Sequence, residues 1–191
     1  MIRAVGLIAI SLVLFTGCSV KGVPVEISKD DMVSLSVPDV QLQDKIASLQ
    51  KTLQSLSSEV SEEEAKAFSR AAVLYPYHLA KEYDLVSPPK FHNFLITIGL
   101  KERGLCYHWA GDLIAYFQKH GFKSFDLYRA VVEQGNFGEH NAVVVTAKGR
   151  PFSEGIVLDA WRDSSDIFFK KVREDRDYSW VQNKKYKVIR G

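Results

Sequence analysis

The sequence predicts an α+β fold, with helices first and then an antiparallel sheet packed on a cysteine-bearing helix. Three observations predict it. Apolar residues recur at steps of three and four from Leu42 to Leu79. Gly104 and Gly121 bracket another segment of the same periodicity. From Phe125 onward, runs of aromatic and branched residues alternate with turn signals.

The chain opens on Met1-Ile2-Arg3, a small positive region, followed by an uncharged apolar run from Ala4 to Phe15. That run is shorter than the ~20 residues a membrane-spanning helix needs, and its length fits an export signal. It ends in Leu14-Phe15-Thr16-Gly17-Cys18. Small residues before a cysteine admit a signal peptidase, and the thiol can receive a lipid. The segment resembles the lipobox of bacterial lipoproteins, with Phe15 where that family usually carries Leu. The resemblance implies a signal peptide over residues 1–17, lipidation at Cys18 and a membrane as partner through the lipid. Ser19 follows the cysteine, and by resemblance to enterobacterial sorting this implies the outer membrane, facing the periplasm.

Loss of residues 1–17 removes Arg3 and no acid, so the net charge falls from +2 to +1. With no single-sign field, nucleic acid is not an expected partner. The composition, 46% hydrophobic and 25% charged, is that of an ordinary globular protein. Residues 18–38 lack helical periodicity and contain two prolines, so they read as a tether. Residues 39–191 then form one domain with an N-terminal helical pair.

Leu42, Ile46, Leu49, Leu53 and Leu56 make the stripe of a first helix between Asp39 and Ser58. Ser61 with Glu64 three residues on has the pattern of a capping box, and Ala65, Phe68, Ala72, Tyr75 and Leu79 continue the helix through Pro76, where a kink is expected. Ser87-Pro88-Pro89 breaks the chain before a short helix from Phe91 to Leu100. A clear helix runs from Leu105 to His120, closed by Gly121. Strands are expected at Phe125 to Val132, Glu139 to Ala147, Gly155 to Trp161 and Lys185 to Ile189.

Two cysteines occur, Cys18 and Cys106. If Cys18 carries lipid, Cys106 is alone in an oxidising compartment, where cysteines usually pair. A lone thiol there is either buried and inert or kept for its reactivity. Cys106 falls in the first turn of a helix, His140 at the start of a strand and Asp159 near the end of the next, with separations of 34 and 19 residues. Free amides and the helix dipole favour an anion at a helix start. An imidazole can take a thiol's proton and return it to a leaving group, a carboxylate can fix the imidazole's tautomer, and the amides can hold an oxyanion. Cys106, Trp109, Leu113 and Phe117 share one helix face, which should meet the sheet. His140 shares a strand face with Ala142 and Val144, and the thiol reaches it if that face meets the helix.

Gly104-Leu105-Cys106-Tyr107-His108-Trp109-Ala110, then Glu139-His140-Asn141-Ala142-Val143-Val144-Val145, then Val157-Leu158-Asp159-Ala160-Trp161 resemble the transglutaminase-like branch of the papain-like superfamily. The resemblance implies a papain-like, transglutaminase-like core, with Cys106 as nucleophile, His140 as general base and acid, and Asp159 as orienting carboxylate. That family includes hydrolases, acyl transferases and members without activity. It leaves the substrate open.

Each residue has a plainer role open to it. Cys106 can be a small buried hydrophobe, His140 a strand-end histidine bonded to a loop, and Asp159 a turn or cap residue. Trp161 shares a strand face with Asp159 and either shields the site, lines a substrate groove or packs in the core. His108, four residues before Asp112, reads as half of an exposed helix pair, while His78, His92 and His120 show no partner pattern. Cys106, His108, His140 and Asp159 are metal-ligand types, yet no paired ligand motif accompanies them, and no metal or cofactor is expected. The expected protein is an envelope-anchored cysteine hydrolase or acyl transferase acting on peptide or amide bonds of an envelope substrate. The competing reading is an inactive binding or scaffold lipoprotein that keeps the fold.

Overall fold

The computed structural model describes residues 39–191. The expected signal peptide, Cys18 and the tether lie outside the described residues. The domain is α+β, with four α-helices preceding a five-stranded antiparallel sheet.

Helix α1 (Val40–Gln54) starts where the Asp39 carboxylate accepts from the amides of Gln41 and Leu42 at 2.8 and 3.1 Å. Its expected stripe is its buried one, Leu42, Ile46, Leu49 and Leu53, but the helix stops before Leu56. Helix α2 (Glu62–Glu82) packs against it and runs on through Pro76. The expected capping box is only half present. Ser61 Oγ accepts from the Glu64 amide at 3.4 Å, while the Glu64 carboxylate leaves its own helix and accepts from the amides of Lys123 and Ser124 at 2.8 and 2.6 Å. The cap thereby ties α2 to the turn that leads into the sheet.

Helix α3 (Pro89–Thr97) is followed by α4 (Cys106–His120), which Gly121 closes in the left-handed region at φ 64°. Among the described residues, no helix is long and apolar enough to cross a membrane.

The strands are β1 (Phe125–Val132), β2 (His140–Ala147), β3 (Ile156–Asp159), β4 (Phe168–Lys171) and β5 (Val181–Gln182), in the order β4-β3-β2-β1-β5. Register places Val132 opposite His140 and Val143 opposite Leu158. Both faces are covered. Val143, Val145, Ile156 and Leu158 join Trp109, Leu113 and Phe117 of α4 and Phe68 of α2 in the main core. Ala142, Val144 and Val157 join Tyr128, Val172 and Trp180 in a second layer on the far side.

Three strand expectations need correction. Lys185 to Ile189 is not a strand; Ile189 makes a single bridge to Leu127. β3 ends at Asp159, so Trp161 lies in the following turn and shares no strand face with it. The turn forms because the Asp159 Oδ1 accepts from the amides of Trp161 and Arg162 at 3.1 and 3.2 Å, folding the chain back on its own carboxylate. The third correction concerns the face of β2. Alternation puts His140 with Ala142 and Val144, but α4 covers the opposite face, that of Val143 and Val145.

Candidate active site

Cys106 is nevertheless brought to His140, around the end of the strand rather than across its face. As the first residue of α4, it stands over the point where β2 begins, with its Sγ 3.9 Å from the carbonyl of Glu139. The thiol is free and half-buried.

The chain before α4 is held by contacts centred on His92, Gly104 and His108. His92, fully buried on α3, accepts from the Val86 amide through Nδ1 at 3.2 Å and donates to the Arg103 carbonyl through Nε2 at 2.8 Å. Gly104 adopts φ 118°, and a Cβ there would lie 2.4 Å from His92 Nε2, so only glycine fits. The Gly104 carbonyl accepts from Trp109 Nε1 at 2.8 Å. His108 closes the turn: its Nδ1 accepts from the amides of Gly104 and Leu105, both at 3.2 Å. Desolvation, then the nearby Arg103, lowers its pKa and favours the neutral ring this bond requires. His108 is therefore no partner of Asp112, which binds Tyr83 Oη and Arg103 Nη2 at 2.5 and 2.6 Å instead. With these contacts made, the amides of Cys106 and Tyr107 have no acceptor among the described residues.

His140 is 4% exposed, and its Nε2 stands 2.7 Å from Asp159 Oδ2. That leaves the other ring nitrogen free of Asp159, while the Cys106 Sγ lies beside the start of the strand, at the carbonyl of the preceding Glu139. Burial opposes a charged imidazole, but the bonds to Asp159 and Cys106 and their charges outweigh it and raise the His140 pKa to about 9. Three aromatic rings surround the imidazole: Trp161, Tyr178 and Trp180, at centroid distances of 4.8, 5.0 and 5.4 Å. Trp161 is half-buried and donates through Nε1 to Asn93 Oδ1 of α3 at 3.1 Å.

No family model, curated protein or solved structure matches the chain.

Asp159 is 1% exposed and carries a second strong partner that sequence reasoning missed. Arg162 Nε donates to Asp159 Oδ2 at 3.2 Å, and its Nη2 donates to Asp175 Oδ2 at 2.7 Å. Its guanidinium lies between the Phe168 and Tyr178 rings, 3.7 and 4.7 Å from their centroids. Asp175 also accepts from Trp180 Nε1 at 2.8 Å. Burial would raise the Asp175 pKa, but the bonds from Arg162, Trp180 and Asp177 hold it below the ordinary carboxylate value. Arg162 thus straps the segment from Asp175 to Trp180 against Asp159, and with it the two rings that close over His140. The three-residue step from Asp159 to Arg162 was a visible signal for an ion pair; the reach to Asp175 was not.

The arrangement has the parts for acyl chemistry: an accessible sulfur, an imidazole oriented by a buried carboxylate, and two unengaged amides beside the sulfur. Among the described residues, no group of three or more His, Cys, Asp or Glu side chains is placed to hold a metal ion.

Proposed function

We propose that the domain is a papain-like, transglutaminase-like cysteine hydrolase or acyl transferase acting on peptide or amide bonds. The observation that supports this is a line of three side chains from three separate elements: His140 Nε2 lies 2.7 Å from Asp159 Oδ2, and the Cys106 Sγ lies 3.9 Å from the carbonyl of Glu139, the residue before His140. Such a line can be read from the chemistry each group supplies. The Cys106 thiolate attacks the carbonyl carbon, and the oxyanion takes the amides of Cys106 and Tyr107. The His140 imidazolium gives its proton to the departing amine, leaving a thioester on Cys106. Water or a second amine then attacks the thioester, His140 accepts its proton, and the sulfur leaves as thiolate. Asp159 keeps the imidazole oriented throughout. This chemistry calls for no cofactor.

The anchoring belongs to the same proposal. Lipid on Cys18 would hold the domain at the outer membrane, facing the periplasm and its envelope peptides. Two experiments test these parts separately. A peptide-based, thiol-directed activity probe should label Cys106 in the full chain and lose that labelling in Cys106→Ala and His140→Ala. Labelling no faster than that of an unactivated thiol would favour the scaffold reading. Cys18→Ser should free the exported protein from the membrane fraction. Continued fractionation with membranes, with no lipid mass on the wild-type protein, would remove the anchor.

A further inference from the structure

Arg129 interrupts an otherwise apolar stretch of β1, opposite Val143 in register and only 9% exposed. Its Nη1 donates to the Tyr107 carbonyl at 2.9 Å, which places the guanidinium against the first turn of α4, one residue from Cys106. Gly111 makes the room, since a Cβ there would stand 3.2 Å from Arg129 Nη2. The Tyr186 ring covers the group at 4.8 Å. Its Nε is buried without a hydrogen-bond partner. No carboxylate forms an ion pair with it among the described residues. Burial opposes its charge, and the nearby Asp112 is already bound to Arg103 and Tyr83.

A buried cation with no carboxylate of its own is costly, which leaves Arg129 short of a counter-charge. The field here extends to the surface. Lys184, Lys185 and Lys187 are exposed on either side of Tyr186, the ring that covers the Arg129 guanidinium, which puts Lys185 next in the chain to that ring. Glu139 is the residue whose carbonyl meets the Cys106 thiol. Its own carboxylate is taken by Gly135 N and Asn141 Nδ2 at 2.7 and 3.0 Å, so it does not neutralise Arg129.

We propose that Arg129, with Lys185 at the rim, forms an anion subsite beside Cys106 that takes a carboxylate of the acyl donor. The inference rests on the reading of Cys106 as nucleophile and adds a substrate class to it: peptides or amides with an acidic group close to the reacting carbonyl.

The test compares alkylation of Cys106 by iodoacetate, which carries a carboxylate, with alkylation by neutral iodoacetamide. It uses the full chain, with the modified site read by peptide mass mapping. The ratio of the two rates cancels any change in the thiol's own reactivity. It should fall on the order of fivefold in Arg129→Gln, stay higher in Arg129→Lys, and fall by less in Lys185→Gln. A reactive thiol with the same ratio in every variant overturns the subsite and leaves the nucleophile reading standing. A thiol that reacts with neither reagent overturns both. If Arg129→Gln fails to fold, Lys185→Gln decides at an exposed position: an unchanged ratio there overturns the subsite.

Discussion

The imidazole of His140 meets the carboxylate of Asp159 at 2.7 Å on the face of the sheet that α4 does not cover. The two groups sit near the ends of adjacent antiparallel strands and are fixed by sheet register. Cys106 belongs to the other layer and reaches the pair only past the end of β2. The His–Asp pair is thus set by strand pairing, and the Cys–His contact by how α4 is seated. These are separable properties, and substitutions should separate them.

Cys106→Ala and His140→Ala should each abolish turnover of a chromogenic peptide amide, because nucleophile and base act as a unit. Asp159→Asn should cost up to about 10⁴-fold through the wrong tautomer, the figure known for the serine triad. It should also weaken the Arg162 strap, which prefers a carboxylate. His108→Ala should leave the chemistry in place and lower stability, since it removes the acceptor for the Gly104 and Leu105 amides. Loss of turnover in a folded His108→Ala protein, with His140→Ala fully active, would move the base onto the helix and sink the triad.

The raised pKa of His140 gives a pH dependence with a definite sign. The folded value of about 9 lies above the ordinary 6.5, so the folded state holds the proton more tightly than the unfolded chain. The stabilisation is fully present below pH 6.5 and is lost as pH rises through about 9. Thermal unfolding of wild type and His140→Gln, followed from pH 6 to 10, should show a gap that narrows across that window. NMR titration of the imidazole should place its midpoint near 9 and move it down in Cys106→Ala, which removes one of the two groups holding the proton. A midpoint at the ordinary value in the wild type would contradict this.

Arg162 is the one cation bound to both Asp159 and Asp175 among the described residues, and both carboxylate side chains are 1% exposed. Arg162→Gln leaves the buried Asp175 without its cation and Asp159 with His140 alone, a loss of about 3–5 kcal/mol by urea unfolding. The double variant Arg162→Gln/Asp175→Asn should recover part of that loss, because it removes the stranded charge. A double-mutant cycle measures the coupling. Additive losses would mean that the strap does not act as a unit.

The sequence made some of this legible and concealed the rest for identifiable reasons. β1 has the expected ends, and β2 starts one residue late, because branched and aromatic runs are bounded there by turns. Leu105 and Gly121 marked α4 closely. The face of β2 could not be read. Its residues are buried throughout, so alternation sorts them into two sets without saying which set meets the helix. β4, Phe-Phe-Lys-Lys, has no alternation, and β5 has only two residues. Asp159 and His140 were visible as types at plausible spacing, but Arg162, Tyr178 and Trp180 are joined to them by tertiary contacts alone. His92 acts on Arg103 from eleven residues away, beyond any local pattern.

That contact leads to the last prediction. Gly104 precedes Cys106 by two residues, and its φ of 118° is open to glycine and strained for other residues. Gly104→Ala meets two penalties, backbone strain of about 1–3 kcal/mol and a clash of the new methyl with His92 Nε2. Relief requires either the His92 ring or the start of α4 to move. The ring is fully buried and bonded on both nitrogens, so the helix start should yield. Cys106 then shifts while the strand-held His140–Asp159 pair stays. Gly104→Ala should therefore lower probe labelling of Cys106 far more than its loss of stability accounts for, while the NMR signature of the His140–Asp159 hydrogen bond persists. The double variant Gly104→Ala/His92→Ala removes the ring that causes the clash and should regain part of the labelling. If Gly104→Ala labels as fast as the wild type, the seat of α4 is not set by this glycine; if labelling and the His140–Asp159 signal vanish together, the helix and strand parts of the site are not separable.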